Sequence, residues 1–78
     1  MLNRSAEVNH LQLADQHIAD ANRLIRRLES LILNQRVGGH DEGPTHLSIR
    51  ALQNTLDAFI VHRARIRKCI ADIDAGRL

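Results

Sequence analysis

Apolar residues recur along this chain at alternating spacings of three and four, in two long runs. Leu11, Ala14, Ile18, Ala21, Ile25, Leu28 and Ile32 make the first run. Ile49, Leu52, Leu56, Phe59, Ile66, Ile70 and Ile73 make the second, with Arg63 as the one charged residue in the stripe. Such spacing places each set on one face of an α-helix. Between the runs lies Gly38-Gly39-His40-Asp41-Glu42-Gly43-Pro44, whose three glycines and one proline interrupt any helix. The pattern predicts helix 1 over about 6–36, a loop over 37–45 and helix 2 over about 46–75, with residues 1–4 frayed. Ser5 is the expected N-cap of the first helix, with Glu7 favourably placed in the first turn. Thr45 is the expected N-cap of the second, and Gly76 is expected at its end.

A short connector between long amphipathic helices favours an antiparallel hairpin with heptad-like, coiled-coil packing. Folding about residue 41 pairs positions whose numbers sum to about 82, give or take a turn. Ile25 then lies near Asp57, Ile18 near Ala64 and Leu11 near Ala71. Ala14 and Ala21 either let the helices approach closely or leave room for larger side chains across the seam. Two helices bury only one narrow seam, whereas Leu24 and Leu31 widen the first stripe and Ile60 widens the second on its own flank. That surplus suits a second hairpin and a dimeric four-helix bundle. Leu13 and Val61 fall outside the main stripes and fit a further contact surface, although single exposed apolar residues are ordinary.

Seventy-eight residues make one domain, 1–78. The single cysteine, Cys69, excludes an internal disulfide. No secretory signal and no apolar stretch of membrane-spanning length is recognisable, so the expected location is the cytoplasm. The net charge of +2 is small, and acidic residues are interspersed with the basic ones.

Five groups of residues invite a chemical reading. His17 and Asp20 share a helix face, and the hairpin register brings Asp20 near His62. His17, Asp20 and His62 are therefore candidate metal ligands by donor type, although no Glu-x-x-His motif accompanies them. The favoured reading is structural, with these groups tying the helices together through hydrogen bonds and an Asp20–Arg63 pair. Arg63 occupies a nominal core slot, where a bare charge is costly. Its stem can cover apolar surface while its guanidinium reaches a carboxylate, and a polar seam residue of this kind specifies register. The basic residues Arg63, Arg65, Arg67 and Lys68, with Arg23, Arg26 and Arg27 on the other helix, spread around their helix axes. They come without aromatic stacking platforms, so a solvated face is favoured over nucleic-acid or polyanion binding. Cys69 reads as a part-buried, inert thiol, despite Arg65 one turn before it. The loop glycines lack the lysine and preceding strand of a phosphate-binding loop.

Taken in order, Leu13-Ala14-Asp15-Gln16-His17-Ile18, the paired arginines with Leu28, Gly39-His40-Asp41, and His62-Arg63 with Ile66 one turn later resemble a widespread group of short alphaproteobacterial, rhizobial-type helical proteins. The resemblance covers roughly residues 11–70. It implies a helical hairpin, assigns no activity, and marks Asp15, His17, His62 and Arg63 as a recurring polar set. Members of that group usually carry a shorter loop of the form Gly-His-Asp-Thr. Here Glu42-Gly43-Pro44 stand between Asp41 and Thr45. The expectation is a non-enzymatic interaction or adaptor protein without cofactors, acting as a homodimer through Leu24, Leu31, Ile60 and Arg63. An unidentified protein partner is the further alternative.

Overall fold

The structure, a computed structural model, describes residues 3–77. Of the fraying expected over residues 1–4, the first two residues lie outside the described residues. Two helices account for nearly everything else: α1, Arg4–Gly38, and α2, Gly43–Asp74. They pack side by side and antiparallel as a rod of 59 × 15 × 15 Å. Its radius of gyration, 17.7 Å, far exceeds the roughly 11.5 Å of a compact chain this long. Among the described residues no helix is long and apolar enough to cross a membrane.

Local chemistry explains the helix ends. Asn3, not Ser5, caps α1: extended backbone at Asn3 lets its side-chain oxygen accept the Ser5 N–H at 2.8 Å. Asparagine does this at least as well as serine, so the helix starts two residues earlier than the spacing predicts. Gly39 adopts φ 72°, and two hydrogen bonds close the end of α1: His40 N–H to the Gln35 carbonyl (2.8 Å) and Gly39 N–H to that of Arg36 (3.4 Å). This paired arrangement satisfies carbonyls the last turn would otherwise leave open. The same arrangement ends α2, where Gly76 has φ 73° and Arg77 N–H reaches the Asp72 carbonyl at 2.8 Å.

The connector is shorter than expected, residues 39–42 only. Gly43 and Pro44 belong to the first turn of α2, where the missing proline N–H costs nothing. Asp41 steadies the turn by accepting the Gly43 N–H at 2.9 Å. Thr45 is therefore not a cap. It is a buried residue inside α2, 7% exposed, and its hydroxyl donates to Gln35 Oε1 across the seam at 3.0 Å. The register pairs Gln35 with Thr45 near the loop, Asp15 with Arg63 midway and Arg4 with Asp74 at the open end. These pairs lie within about one turn of the expected register.

The core is thin. Ala14, Ala21, Ile25, Ile32, Ile49 and Ile66 are the buried apolar residues among those described, and no large side chain is completely enclosed. Ile25, Ile32 and Ile49 form one cluster in the loop-proximal half, backed by Leu28, Leu52 and Leu56. Further along, the small side chains of Ala14 and Ala21 face the seam, and Phe59 of α2 occupies the space beside Ala21.

Candidate functional site

A hairpin has two long edges where its helices diverge, and the polar residues of this chain divide between them. With about 100° per residue, His17 lies three positions beyond the buried Ala14 on one side of the α1 stripe, while Asp15 lies one position beyond it on the other. The edges therefore have different chemistry.

On the histidine edge, the His17 ring lies 5.3 Å from the Phe59 ring, tilted by 36°. The contact joins α1 to α2 and covers part of the aromatic face. His10, Leu13, Ala14, His17 and His62 surround a small hollow of about 90 Å³. Beside it an open groove of about 240 Å³ runs between Ala21 and Leu24 of α1 and Leu52, Thr55 and Phe59 of α2. His17 and His62 thus line one hollow, and His10 lines it with them.

Asp20 does not complete a ligand set with them. Its carboxylate accepts a hydrogen bond from Arg23 on its own helix. Among the described residues, no group of three His, Cys, Asp or Glu side chains is arranged to hold a metal ion. Nor does Asp20 pair with Arg63. It sits on the histidine edge, about 140° around α1 from Asp15, whereas Arg63 emerges on the opposite edge and bonds Asp15 at 3.3 Å. Matching residue numbers across the seam locates a partner along the rod but ignores which edge it occupies.

The Asp15–Arg63 edge shows how a charge is accommodated in an apolar stripe. The Arg63 side chain is one-third exposed, so its stem lies along the seam while its guanidinium reaches water and Asp15. Ile60, one turn earlier on the same face as Arg63, is 41% exposed. The three residues expected to widen the apolar stripes are consequently split between edges: Leu24 and Leu31 beside the histidines, Ile60 beside the ion pair.

Six of the eleven lysine and arginine side chains are already matched with carboxylates. Arg4 pairs with Asp74, Arg23 with Asp20, Arg36 with Glu42 and Arg63 with Asp15, while Asp72 receives both Lys68 and Arg77. Among the described residues this leaves no dense unpaired basic stripe. The Asp72 carboxyl is held below its ordinary range, first by the Lys68 hydrogen bond and then by that of Arg77. Arg36 does the same to Glu42 at the loop. The Cys69 thiol moves the other way: partial burial and then the Glu7 and Asp72 carboxylates push it up, outweighing Lys68.

Besides Asp15–Arg63, three cross-helix contacts were not foreseen from the sequence. Arg4–Asp74 closes the open end, at 2.7 Å; it follows the antiparallel register. Thr45–Gln35 had a readable signal, because Thr45, Ile49, Leu52 and Leu56 continue the three-four spacing. The His17–Phe59 contact had no comparable signal, since it depends on how far the two helices roll about their axes. Comparisons with protein-family models, with curated proteins and with solved structures each returned no match.

Proposed function

We propose that this chain is a small non-enzymatic interaction or adaptor protein that acts as a homo-oligomer in the cytoplasm, two hairpins packing as a four-helix bundle. The observation carrying this reading is the apolar surface left on the edges after the hairpin has closed. Leu13, Leu24 and Leu31 are 51%, 45% and 42% exposed, respectively, and all three project from one edge of α1. Isolated exposed leucines need no explanation, but an aligned set beside an apolar groove is what a helical partner covers. The thin core points the same way, because a two-helix chain of this size gains much of its stability by burying more surface against a partner. Arg63, neutralised by Asp15, helps set the register of the hairpin on the other edge, next to Ile60.

Membership of the alphaproteobacterial hairpin group belongs to the same proposal, supported by the ordered motifs between residues 11 and 70. Polyanion binding has less support, given the matched charges and the absence of exposed aromatic platforms.

Sedimentation equilibrium over a wide concentration range tests the reading. The expected result is a dimer that dissociates on dilution, and one that Leu24→Lys with Leu31→Lys converts to a monomer of unchanged helix content. A wild-type chain that stays monomeric at every concentration would remove self-association.

A further inference from the structure

We propose that the second copy docks antiparallel along the histidine edge of α1, with a two-fold axis at Leu24 and with Asp20 of each copy paired to Arg27 of the other. This rests on the self-associating reading above and specifies which edge carries it and how the copies are oriented.

The edge carries its own stripe. His10, Leu13, His17, Asp20, Leu24, Arg27, Leu31 and Asn34 follow alternating three-four spacing, parallel to the buried stripe of α1 and displaced from it around the helix. Asp20, Leu24 and Arg27, with Arg23, line one open hollow of about 460 Å³ on this face. A two-fold dimer uses the same patch on both copies, so the patch must complement itself.

Charge decides between the two orientations. If the α1 helices ran parallel, Asp20 would face Asp20 and Arg27 would face Arg27, two repulsive contacts. Run antiparallel about Leu24, they bring Asp20 against Arg27 twice, because these two residues flank the axis at nearly equal distances. The same operation sets Leu24 against Leu24. It also places Leu31 of each copy near His17 of the other, at the mouth of the apolar groove that Phe59 lines. The charges are available for this. Arg23 occupies only Oδ1 of Asp20, leaving Oδ2 without a donor among the described residues. Arg27 has no carboxylate partner among them either. Opposite charges placed this way fix orientation and penalise the wrong one.

Charge exchange tests it, with sedimentation equilibrium as the readout and circular dichroism confirming that each variant keeps its helix content. Arg27→Asp removes no hydrogen bond or ion pair among the described residues, whereas Asp20→Arg removes only an exposed one. Each alone is expected to weaken the dimer at least tenfold. Mixing the two variants in equal amounts should restore a mixed dimer, and combining both changes in one chain should restore the homodimer. A wild-type dimer indifferent to both single changes would overturn this geometry while leaving self-association standing. So would single variants that weaken the dimer but fail to recover on mixing. A wild-type monomer would remove both proposals, and capture of an unrelated helix by the same edge, with no self-pairing, would overturn this one.

Discussion

Cys69 lies on α2 with Glu7 of α1 and Asp72 of its own helix close enough to act on its thiol. A thiolate there is opposed by partial burial and by two negative neighbours, and Lys68 offsets them only in part. Because the thiolate is the reactive form, Cys69 is expected to alkylate several-fold more slowly than a free cysteine at neutral pH. Timed iodoacetamide labelling followed by intact-mass measurement checks this, and labelling as fast as that of a small free thiol would contradict it. The sequence supports the same inert thiol more weakly, from its place on the flank of the apolar stripe. The charge visible in the primary structure, Arg65 one turn before Cys69, would favour the thiolate, whereas the opposing Glu7 approaches only once the helices have folded back on each other. The same asymmetry governs Asp20. Its partner Arg23 is local and readable from the sequence, whereas the fact that Arg63 emerges on the opposite edge, beside Asp15, appears only once the helices have packed.

At the scale of elements, both helices and their antiparallel order were legible, because uninterrupted three-four spacing on each side of a glycine-rich break admits few alternatives. The loop was less so. Asn3, Ser5 and Thr45 are all good cap residues by type, and type alone cannot show that Thr45 continues the buried stripe or that Pro44 sits in a first turn. Gly39 is where the connector is most sensitive. Its φ of 72° suits glycine, and an added Cβ would meet nothing within 4 Å, so any penalty is conformational and not steric. Gly39→Ala is expected to destabilise the hairpin by about 1 kcal/mol, and Gly39→Asn by less. Paired thermal melts at one protein concentration would show it, and an unchanged Gly39→Ala melt would argue that α1 ends differently.

Glu42 adds a pH dependence to the same connector. Arg36 donates to its carboxylate, at 2.8 Å for the closest contact, and His46 Nε2 lies 3.3 Å away. The folded state therefore holds Glu42 below its ordinary carboxylate range, chiefly through the Arg36 hydrogen bond. Stability from this source is fully present above the unfolded-state value and is lost as pH falls through the lowered folded-state value. Asp72 behaves in the same sense near the end of α2. Urea melts between neutral and acid pH should accordingly show stability declining on the acid side, with a shallower decline in Glu42→Gln. An identical slope in that variant would mean that the Arg36 contact is not maintained in solution. Because Glu42 is only partly covered and its partner Arg36 is exposed, the effect should also shrink with added salt.

For the molecule as a whole, the sequence foretold the rod but not how unevenly it is held. The isoleucine and leucine cluster lies in the half next to the loop, where Ile25, Ile32 and Ile49 are buried together and Thr45 bonds Gln35. Beyond Ala14 towards the open end, Ile66 is buried, but Ile70 and Ile73 are only partly covered. The termini are clasped by Arg4–Asp74, an exposed ion pair of the kind that contributes little. Stability should therefore fall off along the rod. Amide exchange is expected to be slowest in residues 25–32 and 49–56 and fastest in 4–10 and 70–75, the open end fraying without unfolding the rest. Mutations should follow the same gradient. Ile25→Ala is expected to cost about 2–4 kcal/mol, a large part of what a chain this short has available. Ile73→Ala should cost clearly less, because little of its environment is lost. Protection that is uniform along both helices, or an Ile73→Ala penalty matching that of Ile25→Ala, would contradict the gradient. Either result would place further packing at the open end, where the isolated hairpin supplies little.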